Sequence, residues 1–316
     1  MTKKESDLIN CDLPAKTAIA EIQSDIEAIE KNALLYDERN FDRRIEVIDF
    51  IGFQVIDQIE ELLQKTDQPA QLILLKYRAE KIKSELEKID INLFKKLQKN
   101  IRIQGYRGEE FKDLVNKYVD FNLDDNEHQE EPGYDNLDIF INELSPFQTM
   151  PEQTKDLEPE MVYYQKTPAR IVFELVEKSH FVKEDVFFDL GAGLGQVAIL
   201  VNLLARITTK GVELEPAFCD YARDCAATLN LSNVTFVNVD ARKADYTEGT
   251  VFFMFTPFRG KILQEVLEIL RKESLLRKIK IITYGPCTAQ VALQNWLDFA
   301  APKDVHIYKL AVFTSL

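Results

Sequence analysis

The stretch Val186-Phe187-Phe188-Asp189-Leu190-Gly191-Ala192-Gly193-Leu194-Gly195-Gln196 decides the fold of the C-terminal half of this 316-residue chain. It opens with a short apolar run typical of a buried strand, and an apolar segment with helical spacing follows the glycines. A glycine-rich turn between a strand and a helix lets backbone N–H groups approach a ligand at the positive end of the helix. The stretch therefore predicts a ligand-binding strand-turn-helix unit.

Strand-like and helix-like segments alternate around this unit. A helix is predicted over Pro168–Lys178, ahead of a strand over Val186–Leu190. The alternation continues through Leu194–Arg206, Lys210–Leu214, Ala217–Leu229, Val234–Val239, Val251–Phe255, Lys261–Lys272, Ile279–Tyr284, Ala289–Phe299 and Val305–Phe313. Such a pattern predicts an α/β domain with a doubly wound, mostly parallel sheet.

The first hundred residues have a different pattern, with apolar residues at spacings of three and four. The stripes Ile19–Ile29, Ile48–Leu62 and Leu72–Leu93 predict three antiparallel helices in a bundle. We expect an all-α helical domain over residues 1–123, which serves packing or a homo-oligomer. Residues 124–159 are predicted to be an acidic linker, or a docking segment for a lysine-rich substrate, and residues 160–316 the α/β domain.

Charge and composition limit the class of partner. The net charge is −14. Residues 1–160 sum to about −15, with about −11 in residues 121–160 alone, and residues 161–316 sum to about +1. An acidic surface repels a phosphate backbone, so nucleic acid is an unfavourable partner and a basic protein a favourable one. The four cysteines and three histidines are scattered, which indicates neither a metal site nor a disulfide framework. With no apolar signal core at the N-terminus, we expect a cytoplasmic protein outside the membrane.

Acidic residues and Gln196 distinguish between two cofactor classes for the glycine turn. Gln196 occupies the position where the dinucleotide fingerprint has its third glycine, and Asp189 before the turn would repel a pyrophosphate. Glu213 and Asp240 end the next two predicted strands, where they suit ribose hydroxyls and an adenine amine. Each carboxylate alone could instead cap a helix or face water. Together they favour S-adenosylmethionine, and an NAD enzyme is the alternative.

Three motifs in this half resemble motifs I, II and III of class I S-adenosylmethionine-dependent methyltransferases. They are Phe187–Gln196, Gly211–Glu213 and Val239–Ala241. The resemblance implies a seven-stranded sheet, with the methionine part held at the glycine turn, the ribose at Glu213 and the adenine at Asp240. The cofactor-binding residues predicted on this basis are Asp189, Gly191, Gly193, Gly195, Gln196, Glu213, Asp240, Ala241 and Thr167.

The segment Tyr163–Pro168 carries a closer resemblance. With the motif that follows it, this segment is similar to protein-lysine methyltransferases of the telomeric-silencing (histone H3) and ATP-synthase c-subunit types. Both types have a Tyr and a Thr before the helix, in a segment that lies across the methionine end of the cofactor. Lys166 stands where the histone-modifying type has a glutamate.

The loop Phe253–Arg259 is the predicted acceptor site, because ligands of open α/β sheets bind at the carboxyl edge of the strands. It resembles part of the Asn/Asp-Pro-Pro-Tyr/Phe loop of amino-group methyltransferases, with Thr256 in place of Asn or Asp. An aromatic site of this kind can hold a lysine amine through cation–π contact. Candidates to position the acceptor are Thr256, Phe258, Tyr164 and Tyr284, although the three aromatics could equally be core or rim residues.

The leading hypothesis is methyl transfer from S-adenosylmethionine to a lysine amine of a protein. Two alternatives remain open at this point. One is a small-molecule methyltransferase with the helical domain as a lid. The other is a non-catalytic binding protein that retains the fold.

Overall fold

The computed structural model describes residues 3–66, 69–121, 123, 133–145, 149–298 and 308–316. The chain divides into two compact units. The first comprises Met1–Lys96 and Lys117–Asp120, and the second comprises Leu97–Asn116 and Phe121–Leu316. These units do not follow the predicted boundaries at residues 123 and 159, and the functional division of the chain remains a prediction.

The first unit is helical. Helix α1 spans Lys3–Glu30, and α2 (Phe41–Phe50) continues through a π-helical turn at Ile51–Ile56 into α3 (Asp57–Leu63). Helix α4 spans Ala70–Gln104, and its residues up to Lys96 belong to this unit. The predicted apolar stripes form one core, which includes Ile22, Ile26, Ile48, Val55, Ile59, Leu72, Leu75, Ala79 and Leu86. Among the described residues, no helix of either unit is long and apolar enough to span a membrane.

A buried ion pair lies in this helical unit. The Arg44 guanidinium is fully buried and donates to Asp90 Oδ1 from Nε at 2.8 Å. It also donates to the backbone carbonyls of Leu35 at 3.1 Å and Asp37 at 2.8 Å. Since a buried charge requires compensation, these acceptors make the arginine tolerable inside the core.

The second unit contains a seven-stranded sheet with the strand order β3-β2-β1-β4-β5-β7-β6. Three helices precede the sheet: α5 (Glu109–Asn116), α6 (Asn136–Glu143) and α7 (Ala169–Ser179). The strands are β1 (Val186–Leu190), β2 (Thr208–Glu213), β3 (Val234–Asn238), β4 (Val251–Met254), β5 (Lys280–Thr283), β6 (Leu297–Asp298) and β7 (Ala311–Ser315). The intervening helices are α8 (Gln196–Ala205), α9 (Pro216–Thr228), α10 (Gly260–Ser274) and α11 (Cys287–Ala292). The first five strands are parallel and β7 is antiparallel to both neighbours, which confirms the predicted fold class.

The sheet reverses its strand order between β1 and β4. β2 and β3 extend from one side of β1, whereas β4 and β5 extend from the other, with Asp189 paired to Phe253 across the junction. The central strands are buried on both faces, as their continuous apolar runs require. At such a switch point, the loops after the two strands separate and leave a crevice for a ligand.

The predicted helix over Ala289–Phe299 is wrong in extent. Helix α11 ends at Ala292, and Leu297 then pairs with Ser315 in the short strand β6. Leu297 is buried in the core of the sheet, so tertiary packing outweighs the local helical pattern here. Part of the predicted strand Val305–Phe313 lies outside the described residues, and β7 begins only at Ala311.

The predicted acidic linker or docking segment, residues 124–159, contains a helix. Its residues 124–132 lie outside the described part of the chain, but residues 136–143 form α6. A capping box between Asp135 and Asp138 begins this helix, and Leu137 and Phe140 are buried. This part of the segment belongs to the second unit, and the role of residues 124–159 as a linker or docking segment remains a prediction.

Candidate active site

A cavity of about 490 Å³ opens at the carboxyl edge of the parallel strands. The loops after β1, β2, β3 and β4 line it, together with the chain segment before α7 and residues of α11. The residues that line it include Gln153, Lys155, Leu157, Met161, Tyr163, Tyr164, Gly191, Glu213, Phe218, Asp240, Ala241, Phe255, Thr256, Pro257, Phe258, Arg259, Gln290 and Tyr308. The predicted cofactor and acceptor loops therefore meet at one site.

The glycine turn has the backbone conformation that its sequence predicts. Gly193 and Gly195 have φ angles of +52° and +81°, in the left-handed region where side chains are unfavourable. A Cβ atom on Gly193 would overlap the ring of Tyr164, which packs edge to face on Phe218 at 5.6 Å between centroids. The turn thus needs glycine both for its conformation and for the close approach of Tyr164.

Two polar side chains behind the turn have buried atoms without a partner. Asp189 Oδ2 and both amide atoms of Gln196 find no hydrogen bond among the described residues. With Thr167, these side chains line a small recess next to the main cavity. Burial, and secondarily the nearby carboxylate of Glu213, raises the pKa of Asp189 to about 7. A ligand with an ammonium group and polar atoms would satisfy this recess, which fits the methionine part of S-adenosylmethionine.

Glu213 joins the glycine turn to the start of α9. Its Oε2 accepts the N–H of Gly193 at 2.7 Å, and its Oε1 accepts the N–H of Glu215 at 2.8 Å. Burial raises the pKa of Glu213. The side chain lines the cavity, so its remaining lone pairs can accept hydroxyl groups there.

Asp240 and Ala241 also line the cavity, but Asp240 has a different environment from the one predicted. Its carboxylate accepts the backbone N–H of Arg242 at 2.8 Å and the Arg242 guanidinium at 2.6 to 3.1 Å. These bonds occupy both oxygen atoms. The hydrogen bond from the Arg242 guanidinium is the main reason why the pKa of Asp240 is lowered. Direct recognition of an adenine amine by this carboxylate is therefore disfavoured as long as Arg242 stays bound.

The acceptor candidates are only partly where the sequence predicts them. Thr256 lines the cavity, but its hydroxyl accepts the N–H of Cys287 at 3.2 Å and donates to the carbonyl of Tyr284 at 3.4 Å. Its φ of +42° is rare for a β-branched residue. Thr256 therefore shapes the loop, and its hydroxyl is not directed to an acceptor.

Aromatic side chains form much of the acceptor side of the cavity. Phe258 lines it but is only 5% exposed and packs mainly in the core. Tyr284 is buried behind Phe255, at 5.0 Å between ring centroids, and is not among the residues that line the cavity. Tyr308 lines it although the sequence analysis did not single it out, and so does Tyr163, the first residue of the predicted entry segment Tyr163–Pro168. The strand-edge pattern carries no signal for either residue.

The segment Gln153–Gln165, here called the strap, also lines the cavity, and the sequence analysis placed only its last three residues, within Tyr163–Pro168, near the cofactor. It lies within and just after the predicted acidic linker, yet it forms one wall of the cavity. The N–H of Val162 donates to the carbonyl of Pro257 at 3.0 Å, and the N–H of Arg259 donates to the carbonyl of Glu160 at 2.9 Å. The strap is thereby paired with the loop after β4.

Comparison with known families agrees with this site. Residues 158–277 match the family model described as "Histone methylation protein DOT1". The matched range begins in the strap and contains the loops after β1, β2, β3 and β4. This part of the chain is a class I S-adenosylmethionine-dependent methyltransferase. When bound, the cofactor supplies a methyl group on a sulfonium centre, so the protein has mainly to align an acceptor with that carbon.

The methyltransferase domain is also similar to solved structures. An RNA methyltransferase from Salinibacter ruber in complex with S-adenosyl-L-homocysteine is 21% identical, with a TM-score of 0.38 over 48% of this chain and 92% of that chain. A precorrin-6y C5,15-methyltransferase from Geobacter metallireducens is 18% identical, with a TM-score of 0.38 over 49% and 92%. A ribosomal protein L11 methylase from Lactobacillus delbrueckii subsp. bulgaricus is 16% identical, with a TM-score of 0.34 over 46% and 77%. No curated protein matches the sequence.

Proposed function

We propose that this methyltransferase transfers its methyl group to a lysine amine of a protein. The observation that carries the proposal is the match of residues 158–277 to the histone methylation family, because that range contains the strap from residue 158 onward and the whole acceptor loop. The acidic character of the N-terminal half suits a basic protein as the substrate. A cytoplasmic location and a homo-oligomer through the helical unit remain predictions.

The proposed cofactor site follows the chemistry of the cleft. Asp189, Gln196 and Thr167 would hold the methionine end, since the first two have buried atoms that lack partners. Glu213 would accept the ribose hydroxyls, with the adenine next to Asp240 and Ala241. The backbone at Gly191, Gly193 and Gly195 would approach the ligand closely.

The acceptor side of the cavity supports an amine as the target. We define this side by the lining residues of 161–165 and 255–259 and by Tyr308; it has the aromatic rings of Tyr163, Phe255 and Tyr308 and, among these described residues, no aspartate, glutamate or histidine. A neutral amine carries its own lone pair and needs no base to attack, whereas a hydroxyl acceptor would need one. Aromatic faces can bind the lysine head group, and an apolar surrounding favours its neutral form.

Transfer of a radiolabelled methyl group tests the proposal. The full chain is incubated with labelled S-adenosylmethionine and a host lysate, and the protein, nucleic-acid and small-molecule fractions are counted. We expect label in the protein fraction, located on lysine by mass spectrometry, and none with Glu213→Ala. Label that enters only the nucleic-acid or small-molecule fraction would overturn the lysine assignment, while the cofactor assignment would stand.

A further inference from the structure

Carboxylates attach the strap to the body of the domain at two points. Glu215 is 4% exposed, and its carboxylate accepts the N–H of Thr154 at 2.9 Å, the hydroxyl of Thr154 at 2.7 Å and the N–H of Lys155 at 2.8 Å. Glu160 accepts the N–H of Ile262 at 2.9 Å at the start of α10. These bonds attach Thr154, Lys155 and Glu160 of the strap to the start of α9 and the start of α10.

Arg242 provides a third attachment, and it differs from the others because it involves the proposed adenine site. The Arg242 guanidinium binds Asp240, from Nε to Oδ1 at 3.0 Å and from Nη2 to Oδ2 at 2.6 Å. The same group donates to Glu158 on the strap, from Nη1 to Oε2 at 3.3 Å and from Nη2 to Oε1. Glu265 on α10 lies further away, with Oε2 at 3.9 Å from Nη1. One guanidinium thus links a residue at the edge of β3 to the strap.

The linked residues belong to two chain segments that line one cavity. Asp240 lines the cavity after β3, and Leu157, next to Glu158, lines it from the strap. The planar guanidinium suits this task because its fork can bind two carboxylates at once, which a lysine ammonium cannot reproduce with the same geometry. Only 24% of the Arg242 side chain is exposed, so solvent screens the link to Asp240 less than it screens a free surface pair.

We propose that Arg242 is a positioning residue for cofactor binding, which holds the strap closed over the adenosine end of the cleft by joining Asp240 to Glu158. This inference rests on the proposed placement of adenosine and is independent of the methyl acceptor. If the strap is already held closed before the cofactor binds, binding does not have to include the entropy cost of ordering the strap. Loss of the link therefore weakens cofactor binding and leaves the alignment of the reacting groups unchanged.

The test compares Arg242→Met with Lys243→Met, a matched loss of one positive charge at the next residue, which is exposed. Calorimetry with S-adenosylhomocysteine should give a Kd three- to tenfold higher for Arg242→Met and within twofold of wild type for Lys243→Met. Chymotrypsin should cleave the strap, for instance at the exposed Tyr163, faster in Arg242→Met without ligand. Equal cleavage and equal Kd in the two variants would overturn the proposal.

A double-mutant comparison tests the path of the link. Glu158 is half exposed, so Glu158→Gln should fold normally and should also raise the Kd. In that background, Arg242→Met should add less than its effect in wild type, because both substitutions break one connection. Fully additive effects would show that Arg242 acts without the strap and would refute the inference. Because both readouts need no acceptor, a failure of the lysine proposal would not alter them.

Discussion

Asp189 offers the most stringent prediction, because its carboxylate is costly to the folded protein before a ligand binds. It is 3% exposed, and its Oδ2 has no partner among the described residues. Burial and the neighbouring Glu213 raise its pKa from 3.8 to about 7. We therefore predict that Asp189→Asn, which keeps the shape and removes the charge, stabilises the protein at neutral pH and impairs cofactor binding.

The magnitude follows from the pKa difference. Between pH 4 and pH 7 the folded protein retains a proton that the unfolded chain has lost, so the free energy of unfolding falls as the pH rises and levels off above 7. Each tenfold change in proton affinity is worth about 1.4 kcal/mol, which gives a total of about 4 kcal/mol as an upper bound. Between pH 5.5 and pH 8, the free energy of unfolding should fall by about 2 kcal/mol because of Asp189 alone.

Urea denaturation at pH 5.5, 6.5 and 8 measures the effect. The free energy of unfolding of Asp189→Asn should exceed that of wild type, and the difference should widen by about 2 kcal/mol from the lowest to the highest pH. Asp220→Asn, an exposed change on α9, is the control and should show no such trend. The reasoning fails if Asp189→Asn is less stable than wild type at pH 8, or if the difference does not depend on pH.

Three further substitutions have distinct expected results. Gly193→Ala should weaken S-adenosylhomocysteine binding at least tenfold, because its Cβ meets the Tyr164 ring at a left-handed φ; unchanged affinity in calorimetry would exclude this packing. Asp90→Ala should lower the free energy of unfolding by about 3 kcal/mol in urea, since it leaves the Arg44 guanidinium buried without its carboxylate; a loss below about 1 kcal/mol would contradict this. Tyr163→Leu should raise the KM for the acceptor and leave cofactor affinity within twofold, because its ring lines the acceptor side; a parallel loss of cofactor affinity would place it elsewhere.

The sheet and the glycine turn were accessible from the sequence because they rest on local patterns. Continuous apolar runs predict β1 and β4, which are buried on both faces in the structure. The spaced glycines predict the turn, where Gly191, Gly193 and Gly195 have positive φ. The position of Glu213 in the cavity follows from the same kind of pattern, since acidic residues at strand ends share one edge of a parallel sheet, and its role toward the ribose remains a prediction. At the C-terminus this reasoning failed, because Leu297 joins β7 through long-range pairing that helical spacing does not reveal.

The first part of the strap, residues 153–162, could not be found in this way, because its role depends on distant partners. Glu158 and Glu160 read as part of an acidic run, whereas in the structure they bind Arg242 and the start of α10. A charge count does not distinguish a solvated carboxylate from one that caps a helix 102 residues further along the chain. The same limit applies to Asp240, whose partner Arg242 redirects a carboxylate that the motif alone would assign to adenine.

Calorimetric titration of the full chain with S-adenosylhomocysteine is the most direct test of the cofactor cleft. We predict binding at one site per chain, with at least a tenfold loss of affinity in Glu213→Ala, whose carboxylate lines the cavity and holds the glycine turn. Absence of binding to the wild-type protein, or equal affinity of wild type and Glu213→Ala, would contradict the assignment of this cleft.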